Sequence, residues 1–373
     1  MTDAVTFVGG RIFDGARLVT GRAARFEGEV FAGFVDPSQG RTGIIELNDD
    51  ILSPGFVDLQ VNGGGGVMLN DVPSVETVSR IAAAHRGLGT VRLLPTLITD
   101  TPEATTRAID AVADAIASRV PGVAGLHLEG PHIARAGAHD PGLTRAMTDG
   151  DLKALLTAKA RLPVLKVTVA PKRVTRAQVA ALAEAGVVVS LGHTDADYRT
   201  CLDYAAAGAR AATHLFNAMS PLRHREPGLV GAALDCGALS AGVIADGIHV
   251  DPAAMRIAWR AKAGPGKLYL VSDAMAVAGT DLDQFSLNGR RIRRSEGRLT
   301  LEDGTLAGAD LNLTHAIRLL VEDIDVTLEG ALRAAITTPA EVAGLPVALK
   351  VGETRLSDMI RLSADLSRAE VLG

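Results

Sequence analysis

The chain has 373 residues, 47% of them hydrophobic and 22% charged, which allows a large core and suits a single (β/α)₈ barrel of about 250 residues with a small companion domain. Lys+Arg 38 against Asp+Glu 43 gives a net charge of −5, which argues against a polyanion-binding surface and so against nucleic acid as a partner. No apolar run reaches the roughly 18 residues of a membrane span, and the start, MTDAVTFVGG, lacks the basic and apolar stretches of an export signal, so no membrane partner and a cytoplasmic location are expected.

From residue 5 to about 53 the pattern is short β-like runs broken by turns (VTFVGGRIF, ARFEGEVFAGFV, GIIEL), without a helix. This predicts a small β domain. After Pro54 apolar strand-like runs alternate with amphipathic helical stretches. Eight strands are expected: 56–62, 91–97, 123–129, 164–170, 187–193, 210–216, 240–246 and 267–273. Eight is the barrel number, and near-continuous apolar strands are what a parallel sheet covered on both faces requires. Between 276 and 308 the chain turns irregular and β-like. Two helical stretches follow, LNLTHAIRLLVED and LEGALRAAITTPAEVAG, and DMIRLSADLS reads as β again. The tail is therefore expected to return to the N-terminal strands, giving a small β domain from residues 1–53 and 346–373 around a barrel of residues 54–345. Cys201 and Cys236 lie outside any CxxC or Cys/His cluster and read as buried thiols.

In a parallel barrel the carboxyl ends of the strands converge on the mouth where active sites form. Strand one offers Asp58, Gln60 and Asn62 in DLQVN, alternating onto one face. Strand three offers Glu129 in HLEGPH, strand five His193 in LGHTD, strand six His214 in ATHLFNAM, and strand eight Asp273 in LVSDAM. Taken alone, a strand-end histidine more often bonds a neighbouring loop, and a lone glutamate more often caps a helix. Two histidines and one carboxylate from three strands together are a ligand set of catalytic zinc, with a position left open for water.

PGFVDLQVNGGGG, GLHLEGPH, GHTDADY, THLFNAM, REPGLVG, ADGIHVD, LVSDAMAVAG and GTLAGADLNL, in that order, resemble the N-acetylglucosamine-6-phosphate deacetylases of the amidohydrolase superfamily. The resemblance runs from about residue 48 to 345 and implies a TIM-like (β/α)₈ barrel with a small β-sandwich domain built from both termini. Many amidohydrolases carry His-x-His at the end of strand one and hold two metals. One branch of this family has Gln-x-Asn there and a single metal, and Gln60 and Asn62 place the chain in that branch. Neutral amide oxygens are weak ligands for a borderline-soft ion, which agrees with one site at Glu129, His193 and His214.

The same resemblance implies one divalent metal per subunit, zinc by family, although His₂Glu also accepts Fe²⁺, Mn²⁺ or Co²⁺. It makes Asp273 the general base and acid and Asp58 a supporting hydrogen-bonding group. It carries substrate contacts to Ala138 and His139 in GAHDP, to Asn217 and Ala218 after strand six, to Arg225 in HREPG, to His249 in ADGIH, and to the backbone at Leu306, Ala307 and Gly308 in GTLAG. Arg225 and His249 are those expected near the sugar phosphate, with the arginine reaching the neighbouring subunit's site in a homodimer. His132 stands where relatives often carry an aromatic.

The expected activity is removal of the acetyl group from an amino sugar phosphate. A second reading keeps the scaffold and changes the amide, with epimeric N-acetyl amino sugar phosphates closest; the absence of His-x-His and of a bridging strand-end lysine weighs against two-metal cyclic amidases. A third is a catalytically silent barrel with an assembly role, which the presence of Glu129, His193, His214 and Asp273 argues against.

Overall fold

The computed structural model describes residues 4–39, 43–346 and 349–373. Residues 347–348, at the expected start of the returning tail, and residues 1–3 and 40–42 of the N-terminal part lie outside the described residues.

All eight expected barrel strands form: Phe56–Val61, Thr90–Ile98, Gly125–Glu129, Val164–Val169, Val188–Leu191, Ala211–Ala212, Ser240–Val243 and Leu268–Leu270. Successive strands pair in parallel. The ring closes beyond strand eight, where the Asp273 N–H donates to the Gln60 carbonyl over 3.1 Å and the Asn62 N–H to the Ala274 carbonyl over 2.9 Å. Closure thus brings Gln60 and Asn62 against Asp273. Helices cover the outside, and their starts are written in the sequence: Ser74, Thr101, Thr148, Thr175, Asp197 and Asp251 each cap a first turn with a side-chain oxygen.

The barrel interior is polar. Asp58, Gln60, His127, Glu129, Lys166, Thr168 and Ser190 are all buried on these strands, where branched aliphatic side chains more commonly fill a barrel.

The irregular stretch after strand eight is a four-stranded antiparallel sheet, Gln284–Leu287, Arg290–Ser295, Arg298–Thr300 and Leu306–Ala309. Leu287, Ile292, Leu299 and Ala307 pack with Met68, Ile98 and Met275. That core fastens the sheet beside the barrel mouth. The second of the two expected C-terminal helices divides into Leu328–Ala335 and Thr337–Ala343. Pro339 is the reason, because its ring opposes the carbonyl four residues earlier, that of Ala335.

Two sheets form the small β unit. One contains Ala4–Val8, Ala23–Glu27, Val30–Val35 and Ile44–Glu46, and the other Arg11–Phe13, Leu18–Val19, Ile51–Pro54, Met359–Leu362 and Ala369–Val371. Phe7, Phe26 and Phe31 from the first meet Ile12, Leu52 and Met359 from the second in one core. The tail does return: Met359–Leu362 pairs antiparallel with Ile51–Pro54. Cys201 is buried and its thiol is pushed up to about 12 by burial, so it is unreactive. Cys236 departs from the expected buried thiol: it is half-buried because it caps the C-terminus of the helix Gly228–Asp235.

Candidate active site

Glu129 ends strand three, while His193 and His214 lie two residues beyond strands five and six. Glu129 Oε1 stands 3.2 Å from His193 Nε2 and 3.0 Å from His214 Nε2, and the two nitrogens are 3.0 Å apart. Donors held at about 2.1 Å around a tetrahedral ion are themselves about 3.4 Å apart. The triangle is therefore the size that one small divalent ion draws together. His193, His214 and Asp273 all adopt left-handed backbone, with φ of 48°, 29° and 51°. Such a conformation costs a non-glycine residue on the order of 1–3 kcal/mol. The turn it makes aims each side chain back over the mouth.

Hydrogen bonds decide which ring nitrogens can ligate. His193 Nδ1 lies 2.7 Å from the Arg135 carbonyl, an acceptor only, so the proton sits on Nδ1 and the Nε2 lone pair faces Glu129. His139 is also close enough to be considered, since ligand atoms of Glu129, His139 and His193 lie within 4.8 Å of one another. Its Nδ1 lies 2.8 Å from the Thr99 hydroxyl and 3.2 Å from the Thr99 N–H; the N–H can only donate and the hydroxyl can turn to donate as well, so Nδ1 accepts and the proton of the neutral ring is on Nε2, 3.7 Å from Glu129 Oε2. His139 thus presents a donor where His193 presents a lone pair. His214 Nδ1 is buried and makes no hydrogen bond among the described residues, and Nε2 is the atom that stands in the triangle.

The amides of strand one act through their NH₂ groups. Gln60 Nε2 donates to Glu129 Oε1 and to Asp273 Oδ1, both at 3.1 Å. Asn62 Nδ2 donates to Asp273 Oδ1 at 2.7 Å. Asp273 is thereby pinned by one oxygen, leaving Oδ2 towards the cleft. Asp58 sits deeper, accepting from the backbone N–H of Gln60 and Ser272, and so ties strand one to strand eight.

Burial acts on each carboxyl differently. It would raise Glu129, but the imidazoles of His193 and His214 beside it override burial and hold the group well below the usual range. Asp273 is raised, by burial first and then by the negative charge of Glu129. Asp58 is pushed up to about 6, mainly by burial. His139 is pushed down to about 3 by burial and the neighbouring His193, so it is a neutral donor at neutral pH.

These groups open into a cleft of about 350 Å³ lined also by Ala138, Asn217, Ala218, His249, Leu306 and Gly308. Ala307 turns its methyl group into the core of the antiparallel sheet, so only its backbone is near the site. Gly308 has φ +68° and a Cβ there would meet Met275 at 2.5 Å, so glycine is required where that strand passes the cleft. Arg225 is exposed on the segment after strand six, outside the cleft lining. His132 is buried away from the cleft, its Nδ1 against the Arg145 carbonyl at 3.3 Å.

Sequence reading missed four residues that shape the site. Asp246 bonds His249 Nδ1 at 2.6 Å and orients that ring, and its signal was its place three residues before His249 in ADGIH. The Arg135 carbonyl and Thr99 fix the two histidine tautomers through backbone and hydroxyl groups, for which sequence carries no signal. Lys166 is wholly buried inside the barrel, and a single charge in VLKVTVA went unnoticed among apolar neighbours.

No protein-family model matches the chain. It is 41% identical over 321 residues to an N-acetylgalactosamine-6-phosphate deacetylase of Shewanella sp. (strain ANA-3), covering 86% of this chain and 81% of the relative. It is 33% identical over 358 residues to the N-acetylglucosamine-6-phosphate deacetylase of Haemophilus influenzae, covering 94% of this chain and 92% of that protein. The crystal structure of the N-acetylglucosamine-6-phosphate deacetylase from Pasteurella multocida superposes with a TM-score of 0.92 at 30% identity, covering 98% of this chain and 97% of that one. The chain belongs to the N-acetylglucosamine-6-phosphate deacetylases of the amidohydrolase superfamily. It is thus a hydrolase of amide bonds in a metal-dependent superfamily, and no helix among its described residues is long and apolar enough to cross a membrane.

Proposed function

We propose that the protein hydrolyses the N-acetyl group of N-acetylglucosamine 6-phosphate to give acetate and glucosamine 6-phosphate, with one divalent ion held by Glu129, His193 and His214. The observation that carries this reading is the single amide of Gln60 spanning the triangle and Asp273 at 3.1 Å to each. It puts a basic carboxylate beside a ligand triangle sized for one ion. The Gln60 and Asn62 side chains spend their NH₂ groups on carboxylates, which supports one metal in place of two. Zinc suits the two imidazoles and one carboxylate.

When bound, the ion supplies Lewis-acid polarisation of the acetamide carbonyl and lowers the pKa of water towards about 7. The chain's own groups do the rest. Asp273 Oδ2 accepts the proton of the attacking water and passes it to the departing nitrogen, which must leave as an amine. Burial, and after it the charge of Glu129, raises Asp273, which strengthens it as a proton acceptor. His139 Nε2–H points into the cleft and is placed to donate to the substrate, together with the backbone around Asn217, Ala218 and Leu306 to Gly308. His249, oriented by Asp246, takes the phosphate. Arg225, exposed and outside its own cleft, is the fork that reaches the phosphate bound by a partner in a cytoplasmic homodimer.

The galacto epimer is a second reading, favoured by the 41% identity to the Shewanella N-acetylgalactosamine-6-phosphate deacetylase. Measuring acetate release from both 6-phosphates and from the two unphosphorylated sugars tests the proposal. The gluco 6-phosphate should give the highest kcat/KM; a higher value for the galacto 6-phosphate would transfer the assignment to that epimer, and equal rates without phosphate would refute the phosphate contacts.

A further inference from the structure

The strand Arg290–Ser295 of the antiparallel sheet reads RRIRRS, and its burial alternates. Arg290, Ile292 and Arg294 share the face turned to the barrel, where Ile292 is wholly buried, while Arg291 and Arg293 are exposed on the other. Asn288 and Gly289, with φ of 48° and 73°, make the two-residue turn that pairs Leu287 with Arg290. The hairpin tip therefore sets an arginine beside a buried leucine that lines the cleft.

The two inward arginines are tied differently. Arg294 grips the root of the sheet: its Nε lies 2.7 Å from Asp310 Oδ2, and its Nη1 donates to the Thr280 carbonyl over 2.8 Å. Both partners belong to segments that join the sheet to the barrel. Arg290 instead reaches out of its own sheet, and its Nη2 donates to the carbonyl of Ala138 in the loop after strand three. Ala138 also packs against the core of the sheet, so tip and loop meet through both a hydrogen bond and an apolar contact.

The peptide group that Arg290 holds is the one that carries His139. Its carbonyl, that of Ala138, accepts from Arg290, and its N–H, that of His139, donates to the Ala136 carbonyl over 3.0 Å. Thr99 holds the ring separately. A peptide plane fixed on both edges fixes the direction in which His139 leaves the backbone, and with it the place where Nε2–H enters the cleft. Of these three ties, Arg290 alone comes from the sheet after strand eight, which also brings Leu306 and Gly308 to the cleft.

We infer that Arg290 is a positioning residue for His139: by holding the Ala138 carbonyl it couples the seating of the antiparallel sheet to the aim of the His139 ring. It touches no reacting atom. The inference rests on the proposed substrate contact of His139 for its kinetic consequence, and on geometry alone for the order of the loop.

The test compares the metal-loaded full chain with Arg290→Ala, Arg290→Lys, His139→Gln, and the double change Arg290→Ala with His139→Gln. Acetate release from N-acetylglucosamine 6-phosphate, melting temperature and hydrogen exchange at the His139 amide are measured on each. Arg290→Ala should melt close to the parent, because Ile292, Leu299 and the Arg294–Asp310 pair still hold the sheet. Its kcat/KM should fall about tenfold or more, as misplacement of a contact group does, and its His139 amide should exchange about tenfold faster, the effect of one lost charge-assisted hydrogen bond. Arg290→Lys keeps a donor and should recover most of both. With His139→Gln already present, Arg290→Ala should cost less than about twofold more, since residues that act through one another are not additive. Parental exchange or parental kcat/KM in Arg290→Ala would overturn the inference, and so would a full tenfold loss that persists beside His139→Gln. If Arg290→Ala yields no folded protein, Arg290→Met replaces it, keeping the aliphatic stem beside Leu287 and removing the donor; an unfolded Arg290→Met would show that the arginine serves the fold and overturn its role towards His139. Should the parent release no acetate, the deacetylase reading fails, and exchange at the His139 amide still decides the role of Arg290.

Discussion

Asn62 donates its side-chain amide to the carboxylate of Asp273 over 2.7 Å. This bond gives strand one a purpose that ligation would not, because it fixes one oxygen of Asp273, the base of the proposed mechanism, and leaves the other towards the cleft. Asn62→Asp would place a like charge at the same distance, and the pair would then hold a proton that Asp273 needs to lose. The acidic limb of the kcat/KM profile should rise by more than about one pH unit, with metal content unchanged. A limb in its original place would show that Asn62 does not govern the base.

Asp273→Asn keeps the shape of the side chain and removes the proton carrier. kcat should fall by at least about 10²-fold, the scale of a lost general acid and base, and metal should be retained at the parental level. Near-normal turnover would remove Asp273 from the mechanism.

The two candidate ligand sets, with His214 or with His139, separate in a metal assay. His193→Ala and His214→Ala should purify with little metal, whereas His139→Ala should keep it and lose activity, because the His139 ring offers a donor to the cleft. Loss of metal from His139→Ala alone would reverse the tautomer argument made from Thr99 and Arg135.

Arg225→Ala should raise KM for the phosphorylated sugar and change kcat little, as expected for binding energy spent equally on ground and transition states. Mixing Arg225→Ala with Asp273→Asn adds a direct test of the shared site. Mixed dimers should regain a low-KM site if the arginine crosses subunits, and should gain none if it serves its own cleft.

Arg145 and Asp151 brace the loop that follows Glu129, with a contact of 2.7 Å between Arg145 Nη2 and Asp151 Oδ1. Asp151 is held well below the usual carboxylate range, first by Arg145 and then by Thr148 against the opposing effect of burial. A lowered folded-state pKa gives stability that is full above the ordinary value near 4 and is lost as pH falls below it. The gap in melting temperature between the parent and Asp151→Asn should therefore be full at pH 7 and begin to narrow only as pH falls below about 4; a gap that stays constant into strong acid would contradict the charge-based account.

Much of this architecture was legible in the residues. The eight strands carried apolar runs of the right length, and Glu129, His193, His214 and Asp273 all follow such runs, so the barrel and the cluster at its mouth could be read together. The return of Met359–Leu362 to Ile51–Pro54 followed from β-like patterns at both ends. Other features were hidden for physical reasons. The donor roles of Gln60 and Asn62 depend on ring closure, which brings Asp273 beside them only in three dimensions. Histidine tautomers are set by a carbonyl and a backbone N–H, which every residue possesses. Lys166 broke no pattern, since one charge in an apolar strand reads as a surface position until its neighbours are known. The break at Ile336 has its signal in Pro339, which sits inside an otherwise strong helical pattern.

The central claim is tested most directly by removing the metal and returning it one equivalent at a time while kcat/KM for N-acetylglucosamine 6-phosphate is followed. The account predicts that acetate release is lost with the metal and rises linearly to its maximum at one equivalent per chain. Full activity in metal-free protein, or a maximum reached only at two equivalents, would contradict it.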